Sequence, residues 1–349
     1  MWIYTVNLLS FPIWGILYNS SFQWKKIIKI CMFMQLYLLC ILRSTNIGSD
    51  TETYLKYFQI LSSEIGFMQQ WDFVGLERGY VGINKVIGIM TNDPRIFLAI
   101  ISFFILSSFF FFCDKYCGNL WLGCYLFVAM GFYAQSWYVL RQYSAIAILL
   151  YSIKYAIEQK PLKFFLLILV AFCFHRTALV FSLVYICGRF RLNMLSFFGM
   201  LASVTFLSMF STQIVGLLNI FARIEGTIGY TGGVNYLIFL WLIFLILTYF
   251  MPANKYAKQD NVFNIFYNML AVACLFQILA LKYELLVRLV YYFSLSLIVL
   301  IPYFIKNRFN KIEDRYIATL SICVLMFLWF TIKLYSDGVI YLGEYSLFW

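Results

Sequence analysis

Residues 163–188 read KFFLLILVAFCFHRTALVFSLVYICG. The run is apolar and long enough to cross a membrane once, yet its middle carries His175, the one histidine of the chain, followed by Arg176. Ionisable side chains at that depth are costly and are tolerated where they face protein or a water-filled cavity. How this run is threaded decides the orientation of everything after it.

Lys and Arg near helix ends concentrate on the cytoplasmic side. Most of the 26 basic residues fall in loops marked by Lys25, Lys26 and Lys29; Lys115; Lys154, Lys160 and Lys163; Arg189 and Arg191; Lys255 and Lys258; and Lys306, Arg308, Lys311 and Arg315. These loops share one side only if 163–188 enters and leaves on that side. A single straight span would turn the downstream positive loops outward. The consistent reading is a hairpin of short helices, 163–174 and 176–188, each about 18 Å long and too short for a hydrocarbon core of about 30 Å. His175 and Arg176 then sit at its tip, flooring a cavity open to the outer face. A plainer reading stands beside it, with His175 an ordinary buried hydrogen-bonding residue and Arg176 snorkelling to an interface.

The composition agrees with a membrane protein. Of 349 residues, 63% are hydrophobic and 12% charged, and the mean hydropathy is +0.84, which excludes a soluble chain. The expected fold is all-α and polytopic, with about ten full transmembrane helices near 2–18, 27–42, 95–113, 119–137, 142–157, 193–210, 234–251, 262–281, 287–304 and 316–334, plus the short-helix hairpin. The whole of 1–349 reads as a single transmembrane domain. Its outer face carries a loop with an amphipathic helix, 43–94, and a second loop, 211–233, and both termini lie outside. The first segment has no basic stretch before it and reads as a retained helix. Nine scattered cysteines lack the partners of a zinc site.

The outer face gathers Arg43, Arg78, Arg141, Arg176, Arg223 and Arg288. A planar guanidinium suits phosphate oxygens and keeps its charge in a partly dry site, so the expected ligand is a polyanion. In IGSDTETY, Asp50 reads equally as an N-cap for a helix beginning near Thr51. Further on, Tyr80, Ile83, Val86, Ile87 and Met90 recur at helical spacing, with Glu77 and Arg78 in the first turn. Arg141 precedes Gln142 at the mouth of a span. Arg288 follows Glu284 by four residues, the spacing of an intrahelical ion pair. A Gly-rich phosphate loop, HExxH and GxSxG are all missing, which argues against nucleotide hydrolysis and metal proteolysis.

The order of these elements resembles the EpsG-like branch of the bacterial O-antigen and exopolysaccharide polymerases, the Wzy family. The resemblance covers about residues 40–185: Arg43 followed by GSDTETY, then ERGYVGINKVIG, TNDPRIFLAIISFF, the Arg-Gln pair of LRQYSAIAILL, and FHRTALV. It implies a GT-C-like polymerase architecture in the bacterial inner membrane with periplasmic termini. It also implies a glycosyltransferase that needs no cofactor, metal or nucleotide. The substrates would be an undecaprenyl-pyrophosphate-linked oligosaccharide donor and acceptor, the growing glycan passing to a new lipid-linked repeat of O-antigen, capsule or exopolysaccharide. A chain-length-determining co-polymerase, a flippase and membrane lipids are the implied partners, and nucleic acid is not one.

Leaving pyrophosphate calls for Arg donors, and the attacking hydroxyl calls for a base. Asp50 and His175 are the candidate bases, with Glu77 third. Arg43, Arg78, Arg141, Gln142, Arg176, Arg288 and Tyr54 are the candidate substrate-binding residues. A flippase or transporter of the same lipid-linked glycan, an O-antigen ligase and a membrane acyltransferase are the competing readings.

Overall fold

The computed structural model describes residues 2–20, 23–63, 75–222, 233–251, 261–283, 286–335 and 344–348. Arg223, Glu284, Lys255 and Lys258 lie outside them. The described residues are helical, and the one extended pairing among them is an isolated antiparallel bridge between Arg43 and Leu347.

The helices are α1 (Trp2–Ser20), α2 (Lys25–Ile41), α3 (Thr51–Ser62), α4 (Arg78–Met90), α5 (Pro94–Tyr116), α6 (Leu120–Ala129), α7 (Phe132–Tyr138), α8 (Leu140–Ile157) and α9 (Pro161–Phe174). A 3-10 helix, Arg176–Ser182, leads into α10 (Leu183–Cys187). There follow α11 (Met194–Met209), α12 (Ser211–Ala222), α13 (Val234–Phe250), α14 (Asn261–Ala280), α15 (Val287–Ser294), α16 (Leu297–Arg308) and α17 (Ile312–Tyr335).

The protein is a helical membrane protein, but the expectation of about ten full spans is not met by helix length and composition. Among the described residues four stretches are long and apolar enough to cross: Pro94–Tyr116, Asn261–Ala280, Val287–Arg308 and Ile312–Tyr335. Met194–Met209 and Ser211–Leu217, bent by 82°, make a fifth if taken as one span. The others miss on one count or the other: α1 and α8 have the length and fall short in hydropathy, while some apolar runs are broken into shorter helices. The stretch 119–137 is cut at Gly131, whose φ of 86° is left-handed, leaving α6 with ten residues and α7 with seven.

The described residues cluster into two compact units, the first comprising 1–150, 173–175 and 312–349, the second 151–172 and 176–311. In the first, α1 packs on α2 and α6, α2 on α5, and α3 on α4 and α5. Asp93 starts α5, its carboxylate accepting from the Arg95 N–H at 2.8 Å with Pro94 in the first turn, as N-terminal caps require. α17 rests on α6, where Tyr125 Oη donates to the Cys323 carbonyl at 2.6 Å, and its remaining face exposes Ile317, Leu320, Leu328 and Ile332 as a surface for lipid. The tail 344–348 closes over the end of α2 through Ser44 N to Ser346 O at 2.8 Å and Tyr345 Oη to Leu39 O at 3.0 Å.

In the second unit α14 is buried along most of its length and packs against α10, α11, α13, α15 and α16. α9 rises about 21 Å and the chain then doubles back. Phe164, near its start, lies 5.2 Å from Tyr185 in α10 and 6.5 Å from Phe181 in the 3-10 helix. Asn268 Nδ2 fixes the returning leg by donating to the carbonyls of Cys187 and Phe190, each at 2.8 Å.

Candidate active site

The site of the first unit begins with two helices that run the same way. Tyr54 and Tyr80, each in the first turn of its helix, meet edge to face at 5.8 Å, while at the other end a Cβ on Gly88 would lie 2.8 Å from Ser62. α3 and α4 are therefore parallel, and the acids preceding them, Asp50 and Glu77, come to the same end. Each occupies an N-cap position, and neither spends its carboxylate on capping the helix. The helix N-terminus still favours a negative charge there.

Glu77 spends its carboxylate on long-range partners instead. Its Oε2 accepts from Arg141 Nη1 at 2.7 Å, and its Oε1 lies 3.2 Å from His175 Nδ1. The Glu77 side chain is 10% exposed and that of Arg141 26%. Three segments thus converge: the start of α4, the first turn of α8, and the residue that ends α9. Close approach makes this possible, since a Cβ on Gly79 would stand 2.7 Å from the Cys173 carbonyl oxygen. Backbone lies against backbone here, which only glycine allows.

Burial by itself would raise the Glu77 carboxyl. The hydrogen bond from His175 and the charge of Arg141 outweigh it and hold the group down at about 2. Glu77 is accordingly an anion and acceptor at neutral pH, so Nδ1 of His175 carries the hydrogen. In the neutral ring the lone pair then sits on Nε2, the arrangement in which a carboxylate orients an imidazole to act as a base. Of the three proposed bases, Glu77 is the one whose geometry suits positioning.

Asp50 has an intermediate exposure and one turn of α3 separates it from Tyr54, whose hydroxyl shares Arg141 with Glu77. Gln142 is fully buried beside Arg141, and Arg78 is exposed at the start of α4. Arg43 stands apart from this cluster. It is fully buried, donates to the Cys40 carbonyl and, at 2.7 Å, to the Trp137 carbonyl, and lies 5.1 Å over the Trp137 ring. Its partners are backbone oxygens and an aromatic face, the surroundings of a residue that ties α2 to α7. The apolar set of α4 also divides. Tyr80, Val81 and Ile87 are buried, whereas Val86, Ile89 and Met90 are exposed, a second face suited to lipid.

Arg176 and Arg288 belong to the second unit, both with intermediate exposure. The 3-10 helix packs on α15, and Thr177 Oγ1 meets Tyr292 Oη at 2.9 Å. Arg176 precedes Thr177, and Arg288 lies one helical turn from Tyr292.

Sequence reading singled out Glu77, Arg141 and His175 separately and gave no role to Gly79. The ERGY stretch held a signal for Gly79, a glycine inside a helix, but its neighbour is 94 positions away in the chain.

Broken apolar helices and a largely buried carboxylate gripping an arginine and a histidine define a helical membrane protein with a polar side-chain cluster. The chain belongs to the EpsG family, whose sequence pattern matches residues 26–347, a family associated with glycosyltransferase-like polymerase activity. Curated proteins and solved structures contain no match to the chain.

Proposed function

We propose that the protein is a polysaccharide polymerase that moves a growing glycan from its polyprenyl diphosphate carrier to the sugar end of a new lipid-linked repeat, at the outer face of the bacterial inner membrane. The carrying observation is the double engagement of Glu77 by Arg141 and His175, which presents an oriented imidazole in a largely buried site.

His175 Nε2 accepts the proton of the acceptor hydroxyl as its oxygen attacks the anomeric carbon. The bond from that carbon to the diphosphate oxygen breaks, and the diphosphate leaves with the electron pair. Glu77 positions the ring and stabilises the imidazolium. Asp50, on the same end of the paired helices, is the second candidate for the base. Arg141 and Tyr54 offer donors for the departing charge, with Arg78 and Gln142 flanking them. In the second unit Arg176 and Arg288 are proposed as a further phosphate-binding pair.

The finer topology belongs to the same reading. The shorter apolar helices, among them Leu120–Ala129 and Val234–Phe250, complete a GT-C-like bundle with both termini periplasmic, and the hairpin re-enters the membrane. A separate co-polymerase and flippase would set length and supply repeats.

The test is reconstitution of the purified chain in lipid with undecaprenyl-diphosphate-linked repeats. A ladder of multiples from the parent and single repeats from His175→Ala is the expected result. Unchanged single repeats from the parent overturn the polymerase reading.

A further inference from the structure

At the open end of the α9–α10 hairpin the second unit holds a cavity of about 260 Å³. Ala156 in the last turn of α8 and Gln159 in the turn before α9 line one side, Tyr185 of α10 with Arg189 and Arg191 just after it line the other, and Asn264 of α14 stands at its back. Arg189 is preset: its Nη2 donates to Tyr185 Oη at 3.0 Å, and its guanidinium lies 4.7 Å over the same ring. Asn264 Nδ2 holds the turn that follows α10 through the Gly188 carbonyl at 2.5 Å. Gln159 takes a left-handed φ of 55°, uncommon for a residue with a side chain.

Charge in this cavity is one-sided. No carboxylate is among the described residues that line it, and the acid next in sequence, Glu158, is engaged by Lys160 at 2.7 Å and Lys154 at 3.7 Å. Two guanidinium forks therefore face a polar cavity with nothing in its lining to neutralise them. Close by in sequence, Leu162, Ile186 and Phe190 are exposed apolar side chains able to meet acyl chains.

We infer that this cavity binds a phosphate group, supplied by the headgroup of an anionic phospholipid. Arg189 and Arg191 grip the phosphate oxygens, while the neighbouring apolar surface takes the start of the acyl chains. The site is independent of the polymerase reading, because none of its residues takes part in the Glu77 cluster.

The experiment uses the full chain in neutral detergent, with binding of phosphatidylglycerol and of the diacylglycerol with the same acyl chains followed by native mass spectrometry. Phosphatidylglycerol is expected to bind about tenfold more tightly, a preference reduced severalfold in the Arg189→Gln, Arg191→Gln double variant. Arg191→Gln alone alters an exposed side chain and should show part of the loss without disturbing the fold. Inorganic phosphate added as competitor separates the sources: if it leaves lipid binding intact, the headgroup is the ligand. If it displaces the lipid completely at the affinity of the lipid itself, the phospholipid assignment falls. Equal binding of diacylglycerol, or an unchanged preference in the double variant, overturns the site altogether.

Discussion

Gly79 and Cys173 touch backbone to backbone: a Cβ on the glycine would stand 2.7 Å from the cysteine's carbonyl oxygen. This contact lets Glu77, two residues before Gly79, reach His175, two residues after Cys173. Gly79→Ala should push α4 off the end of α9 and separate the carboxylate from the imidazole. A loss of about 1–3 kcal/mol is expected from such overpacking, together with loss of polymerisation. Gly82→Ala is the control. Nothing lies within 4 Å of a Cβ there, and alanine in a helix should be neutral or stabilising by up to about 1 kcal/mol. Thermal unfolding of both variants in one detergent decides it, and equal behaviour would remove the close-packing argument.

Glu77→Gln keeps size and removes charge, leaving Arg141 largely buried without its counterion. Breaking a pair of this kind costs on the order of 3 kcal/mol. Arg141→Lys should retain part of the stability and lose more of the activity, because a lysine cannot serve Glu77, Tyr54 and a phosphate with one fork. Glycan length and unfolding temperature measured on the same preparations separate the two effects.

The carboxyl of Glu77 lies at about 2 in the folded chain against an ordinary 4.5. The unfolded chain binds the extra proton first, so stability rises with pH across this interval. The contribution is fully present above about pH 4.5 and is lost as pH falls toward about 2. The difference in unfolding temperature between parent and Glu77→Gln should therefore shrink on acidification. A difference that stays constant with pH would show that the charge does not stabilise the fold.

Arg43→Met should act on folding more than on catalysis. It removes donors to the Cys40 and Trp137 carbonyls and the cation over the Trp137 ring. Lost hydrogen bonds to a charged group are worth about 1.5–3 kcal/mol each, so the variant should insert poorly or melt early. Normal stability with lost polymerisation would instead mark Arg43 as a substrate-binding residue.

Topology has its own check. In a chain with its native cysteines replaced, Asn46→Cys should react with an impermeant probe from outside, and Asn310→Cys from inside. Both positions are exposed. Labelling of both from one side would refute the arrangement in which 163–188 re-enters.

Much of the fold was legible because its causes are local. Apolar runs marked the membrane class, Asp50 and Asp93 stand where helices start, and the His175–Arg176 step is where α9 ends. Fewer of the described helices are long and apolar enough to cross than the ten expected, and one reason is that composition does not show where a helix breaks, as it does at Gly131. Role was legible only by residue type. Glu77, Arg141 and His175 each looked chemical, but nothing in the chain says that a carboxylate 98 positions from His175 grips it.

The sequence by itself determined that this chain is helical, membrane-embedded and of the EpsG family, since hydropathy, helix starts and motif order are properties of neighbouring residues. Only the tertiary structure decided that Glu77 anchors and His175 is oriented, and that Arg43 is buried among backbone carbonyls. Those roles depend on which distant groups share a few ångströms of low-dielectric space, where one hydrogen bond sets both a tautomer and a charge.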